Sequence, residues 1–177
     1  MVTCEEKASK LLKALPNKIE LPDRGEEAQK NPIYRFLKRE SNMAKKILKV
    51  VRTDLNNTIE MCRGNFKPTN EIRDVAKNLK NDTIPKAWRM WVTELNVTQW
   101  VMDLNKRIQQ LVHLMKAKDF KKSNLWIGGL FYPEAFLTAT RQYVAQCIKV
   151  PLDELVLNVT FRLLTLYRLN CLETLVA

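Results

Sequence analysis

The sequence predicts a mainly α-helical fold: a helical bundle with one or two short β-strands near the C-terminal end. Three observations carry this prediction. Apolar residues recur at three- and four-residue spacing through most of the chain, the period of one helix face. Glycine is scarce, four in 177 residues, and no Gly/Ser-rich or repetitive tract stands out. Prolines stand where the periodic segments begin or end. A chain of this length suits one domain and buries a core without disulfide staples. Its 46% hydrophobic and 28% charged residues are those of an ordinary folded protein.

Residues 3–15 read as a short amphipathic helix with Ala8, Leu11, Leu12 and Leu15 on one face, ended by Pro16. Residues 16–31 hold two prolines, Gly25 and many charges. They read as a loop or linker, the place where disorder is expected. Pro32 then opens a long helix. Its apolar positions are Ile33, Leu37, Ala44, Ile47, Leu48, Val51, Leu55, Ile59 and Cys62, and Gly64 fits the cap at its end.

A second helix starts at Pro68 and Thr69, with Thr69 as N-cap and Ile72, Val75, Ala76 and Leu79 as its buried stripe. Asn81-Asp82-Thr83 breaks it, and residues 84–88 form a connector anchored by Trp88. A third helix runs from about Thr98 to Lys116. Its seam of Val101, Leu104, Ile108, Leu111 and Met115 is heptad-like but too short for a coiled coil. Leu125-Trp126-Ile127 looks like a strand, followed by a tight passage at Gly128-Gly129. Pro133 starts a fourth helix through about Ile148, with Phe136, Leu137, Thr140, Tyr143, Val144 and Cys147 facing the core. Leu155, Leu157, Val159 and Phe161 then recur at every second residue, the period of a second strand. Residues 162–177 are leucine-rich and compatible with a helix.

The net charge of +11 favours an acidic partner: nucleic acid, an anionic membrane or an acidic protein face. The excess is most concentrated on the long helix, where Arg35, Lys38, Arg39, Lys45, Lys46, Lys49 and Arg52 form a basic outer face with Glu40 the only acid. Two readings stand side by side: a partner-binding surface, or a solvated helix face.

Catalytic chemistry is not expected. His113 is the single histidine, within the third helix, and no nucleophile is singled out to match it. Glu5-Glu6, Glu26-Glu27 and Asp153-Glu154 are adjacent acids, which do not face each other on a helix. Gly128-Gly129 lacks the spaced glycines and the lysine of a phosphate-binding loop, so it reads as close backbone packing. Cys4, Cys62, Cys147 and Cys171 are too dispersed for a zinc site and read as four reduced thiols. Residues 1–7 lack the apolar core of a signal peptide. The Asn-x-Thr triplets at Asn56, Asn81, Asn96 and Asn158 therefore read as helix-start and turn chemistry. No stretch is long and apolar enough to span a bilayer. The four tryptophans, Trp88, Trp91, Trp100 and Trp126, lie beside apolar residues and read as core or edge anchors.

Several ordered motifs resemble the C-terminal region of dynein heavy chains. The strongest is residues 126–142, from Trp126-Ile127-Gly128-Gly129-Leu130-Phe131 through Pro133-Glu134-Ala135 to Thr138-Ala139-Thr140-Arg141-Gln142. It resembles the family's Gly-Gly-Leu-Phe strand and the helix after it. Residues 143–146, Leu152-Asp153-Glu154-Leu155, residues 31–40, Ile84-Pro85-Lys86-Ala87-Trp88 and Trp100-Val101-Met102-Asp103-Leu104 continue the likeness in order. The run from Thr140 to Gln146 looks more like cytoplasmic than axonemal dyneins.

The resemblance implies a division into 1–30 (short helix and linker), 31–160 (helical part of the family's C-terminal domain) and 161–177 (divergent leucine-rich tail). It implies a noncatalytic segment of a microtubule motor that packs on the AAA+ ring and tunes it in microtubule-based movement. The implied partners are that ring and, indirectly, the other dynein subunits, in a cytoplasmic and cytoskeletal setting. No cofactor, direct nucleotide, membrane or nucleic-acid partner is implied. After Thr160 the likeness stops, which predicts a truncated or diverged short form. The alternatives are a free-standing basic helical module that binds nucleic acid, or a truncated product without independent function.

Overall fold

The computed structural model of the protein describes residues 3–22, 24–65, 67–89, 94–117 and 123–156. Among these residues there are six α-helices: α1 (Cys4–Ala14), α2 (Gly25–Gln29), α3 (Pro32–Cys62), α4 (Asn70–Lys80), α5 (Val97–Lys116) and α6 (Pro133–Ile148). Three short 3-10 turns stand at Lys86–Trp88, Ile127–Gly129 and Leu152–Glu154. The chain divides into two compact units. One holds the described residues up to Ile19 together with Asn42–Ile108; the other holds Glu20–Ser41 and the described residues from Gln109 onward.

The helices begin where side chains satisfy their free N–H groups. Thr3 and Glu6 form a reciprocal capping box on α1, with the Glu6 N–H donating to Thr3 Oγ1 at 3.2 Å and the Thr3 N–H to Glu6 Oε2 at 2.8 Å. Asn31 Oδ1 accepts from the N–H groups of Ile33 and Tyr34 at the head of α3. Thr69 caps α4 as expected, accepting from Ile72 N–H. Asn96 and Gln99 exchange the same pair of bonds at the head of α5, so the Asn96 triplet does supply helix-start chemistry.

The ends are equally defined. Gly64 takes φ +77° after α3, while Gly64 N–H donates to Met61 O and Asn65 N–H to Glu60 O. This left-handed cap is the reason for glycine there. Asp82 repeats the geometry after α4 with φ 56°. Its carboxylate is held by Lys7 Nζ at 2.7 Å.

In the first unit the core is the predicted stripe: Ala8 and Leu11 of α1; Ala44, Ile47, Leu48, Val51, Leu55 and Ile59 of α3; Ile72, Val75, Ala76 and Leu79 of α4; and Val101, Leu104 and Ile108 of α5 are all buried. Helices α1 and α4 pack on each other. Trp88 ties α3 to α5. It is 1% exposed, stacks on Trp100 with ring centroids 5.6 Å apart, and donates its indole N–H to Asp54 Oδ2 at 2.7 Å. In the second unit Ile33, Tyr34, Phe36 and Leu37 of α3, Leu111, Leu114 and Met115 of α5, Leu130, and Ala139 and Val144 of α6 are buried. Phe36 and Phe136 meet at 5.6 Å.

Several expectations are corrected. No β-strand occurs among the described residues, and the segment read as the first strand runs into the 3-10 turn Ile127–Gly129. The reason is local. Gln110 occupies the backbone of Trp126 on both sides, its Oε1 accepting from Trp126 N–H at 2.7 Å and its Nε2 donating to Trp126 O at 3.1 Å. These are groups a ladder would have used. The indole of Trp126 lies over Gly129, where an added Cβ would overlap its six-membered ring, so the close-packing reading of the glycine pair holds. Of the second strand, Leu155 and Val156 are not in a strand, and residues 157–161 lie outside the described residues, as does the tail to Ala177. In the segment 16–31, read as a loop or linker where disorder is expected, the described residues include α2 and the buried Ile19. On α6 the buried residues are Ala139 and Val144, while Leu137 and Cys147 are exposed. Cys62 is also exposed, at the end of its stripe. Trp88 and Trp100 are core anchors, Trp126 is 44% exposed, and Trp91 lies outside the described residues.

Candidate partner-binding surface

The basic residues of α3 belong to two separate groups, one in each unit. Arg35, Lys38 and Arg39 lie in the second unit and are exposed. Arg39 has a definite local role. Its guanidinium carbon stands 5.1 Å over the ring of Tyr132, a cation–π contact. Its neighbour Glu40, read from the sequence as the lone acid of a basic outer face, is 0% exposed. Glu40 Oε2 accepts from Phe131 N–H at 2.7 Å and Oε1 from Tyr132 N–H at 2.8 Å. Tyr132 is the N-cap of α6 and offers no capping group of its own. Glu40 therefore supplies a carboxylate at the head of α6, where free N–H groups and the helix dipole favour negative charge.

Glu40 is a helix-capping residue whose role the sequence alone does not show, though a signal is present. It falls three residues after Leu37 and four before Ala44, inside the apolar stripe rather than opposite it. A carboxylate in a buried stripe is a sign of a specific partner.

Lys45, Lys46 and Lys49 lie in the first unit and are exposed. Lys49 stands three and four residues beyond the other two, so the three share one helix face. None is in an ion pair among the described residues. Arg52 differs from them. It is half-buried, and its Nη1 donates to the carbonyls of Leu12, Leu15 and Pro16 at 3.4, 3.2 and 3.2 Å. These are acceptors at the end of α1, where a cation is favoured. Replacing Arg52 with alanine is expected to destabilise the protein by about 1–3 kcal/mol, since three carbonyls lose their donor. Lysine, with one ammonium in place of a fork, is expected to recover part of that loss. Chemical denaturation together with amide exchange in α1 checks both. Arg24 treats α5 likewise in the second unit, donating to Met115 O at 2.7 Å and Ala117 O at 2.5 Å.

His113 is exposed on α5. Among the described residues no three His, Cys, Asp or Glu side chains gather as metal ligands, and no helix is long and apolar enough to cross a membrane. Within each unit, the arrangement offers exposed cations on α3 beside polar groups that hold helix ends.

Comparison with known proteins gives this surface its context. Residues 2–165 match the family model for the C-terminal domain of the dynein heavy chain. Over 154 residues the chain is 43% identical to the cytoplasmic dynein heavy chain of Paramecium tetraurelia, covering 86% of this chain and 3% of that protein. Over 161 residues it is 38% identical to the cytoplasmic dynein heavy chain of Caenorhabditis elegans, covering 90% of this chain and 4% of that one. Likeness to human dynein axonemal heavy chain 1 is 28% over 110 residues, 61% of this chain and 2% of that protein. The chain thus spans only about 3–4% of the length of the cytoplasmic relatives. The matched region covers every helix described above, from α1 through α6, so the chain belongs to the family of C-terminal domains of dynein heavy chains.

Proposed function

We propose that this chain is a noncatalytic segment of a cytoplasmic-type dynein motor, which packs on the AAA+ ring of a dynein heavy chain and tunes its output in microtubule-based movement. The family match over residues 2–165 carries this reading. Within the chain, residues 1–30 are proposed as a short helix and linker, 31–160 as the docking body and 161–177 as a divergent tail. Helix-end clamps at Glu40, Arg52 and Arg24 support the role of a rigid brace, because each fixes the direction of one helix against another. The exposed cations Lys45, Lys46 and Lys49, with Arg35 and Lys38, are the contacts proposed to meet an acidic ring surface, in a cytoplasmic and cytoskeletal setting.

The test is binding of this chain to a dynein motor ring cut before its C-terminal region. Charge reversal at Lys45, Lys46 and Lys49 together is expected to weaken binding at least tenfold at low salt, with the difference shrinking as salt rises. Unchanged binding would reduce that face to solvated surface.

A further inference from the structure

Cys4 opens α1 and Cys62 closes α3, and within the first unit these two helix ends adjoin. Glu5 pairs with Arg63 at 2.8 Å, one residue beyond each cysteine. At the other end of α1, Arg52 of α3 holds the carbonyls of Leu12, Leu15 and Pro16. The two helices therefore run in opposite directions with their contacts in register. Beside the first of these fastenings Cys62 stands near enough to Cys4 to add to the rise in its pKa that burial causes. Cys4 is half-buried, with its Sγ also 3.8 Å from Ala76 O of α4, and Cys62 is exposed. Burial and the neighbouring Cys62 hold the Cys4 pKa above its ordinary value, and the ammonium groups of Lys80 and Lys7 offset part of that rise.

We propose that Cys4 and Cys62 form a redox site, a dithiol that a hydroperoxide converts into a disulfide latching α1 to α3. The site is independent of the ring-docking reading. The exposed Cys62 thiolate reacts first. Its sulfur attacks one peroxide oxygen, the O–O bond breaks, and hydroxide leaves and takes up a proton, giving a sulfenic acid and water. The Cys4 thiolate then attacks the Cys62 sulfur. The S–S bond forms, the S–O bond breaks, and the departing hydroxide becomes water with the proton that Cys4 released. With hydrogen peroxide the sum is two thiols and one peroxide giving one disulfide and two waters. Thiol reductants reverse it by exchange. Burial is the main influence raising the Cys4 pKa, so the second step is expected to quicken as pH rises.

The experiment treats the full 177-residue protein with hydrogen peroxide, blocks free thiols, and maps cross-links by mass spectrometry without reduction. The expected result is a peptide joining Cys4 to Cys62 and a loss of two titratable thiols from a chain with four cysteines, both reversed by dithiothreitol. The melting temperature is expected to rise on oxidation, because the link closes a long loop in the unfolded state. Cys4→Ser and Cys62→Ser should each abolish the link, while the double variant Cys147→Ser, Cys171→Ser should form it at the same rate. Circular dichroism shows that each sample is folded before oxidation. A folded protein that forms no Cys4–Cys62 peptide, or that cross-links its cysteines indiscriminately or between molecules, overturns the proposal.

Discussion

Replacing Glu40 with alanine is expected to destabilise the protein by about 3–5 kcal/mol, a larger effect than that of any other polar residue named above. Glu40 is fully buried and accepts from two backbone N–H groups at the entry to α6. Alanine leaves both donors without their acceptor and opens a cavity beside them. Glutamine keeps the shape and one acceptor oxygen, but turns an N–H group towards the other backbone N–H. Its expected cost is smaller, about 1–3 kcal/mol. Urea denaturation measures the totals. Amide exchange at Phe131 and Tyr132 should accelerate in both variants, more so in the alanine one. A loss below about 1 kcal/mol for Glu40→Ala would show that water replaces the carboxylate at little cost.

Trp88→Ala is the second large effect, about 3–5 kcal/mol. It removes a nearly fully buried indole, the stacked partner of Trp100, and the donor that serves Asp54. The Asp54 carboxyl is the informative control. Burial raises its pKa above the ordinary 3.8, with the Trp88 hydrogen bond lowering it in part. A raised folded-state pKa means that the fold binds the Asp54 proton more tightly than the unfolded state does. This contribution favours the fold at low pH and is lost as pH rises from near 3.8 through the raised value. Asp54→Asn keeps an acceptor for the indole and removes the ionisation. It is expected to match or exceed the native stability at neutral pH and to flatten the pH dependence in that window. A variant markedly weaker than the native protein near pH 7 would mean that the charge itself holds Trp88.

The helices were legible because their stripes are long. Ile33 to Ile59 and Val101 to Met115 keep helical spacing over several turns, and period is most informative over such windows. Thr69, Gly64 and Pro133 marked boundaries because capping chemistry is local. The Leu125-Trp126-Ile127 run was not legible for the opposite reason. Three apolar residues are compatible with a strand or a turn, and what decided between them was Gln110, sixteen positions before Trp126. The α6 register slipped because its apolar residues lie on more than one face, with Leu137 and Ile148 exposed and Ala139 buried.

The site was legible in part. Composition and spacing identify the cations of α3, and the structure exposes all of them except the half-buried Arg52. The partners of Arg39, Glu40 and Arg52 are distant in sequence, at Tyr132, Phe131 and Leu12 to Pro16. Periodicity along one sequence separates buried from exposed positions, but it does not name the group that a buried charge meets. Cys4 and Cys62 are missed in the same way. Far apart in the sequence, they read as dispersed thiols until α1 and α3 are laid side by side.

The central claim is that this domain tunes a dynein ring without catalysing anything itself. It is tested most directly by ATP hydrolysis with a motor ring cut before its C-terminal region, measured with and without this chain added at saturating concentration. The account predicts no hydrolysis by the chain alone and a changed microtubule-stimulated rate for the ring when the chain is present. Turnover by the pure chain, or a ring rate indifferent to a folded chain, would contradict it.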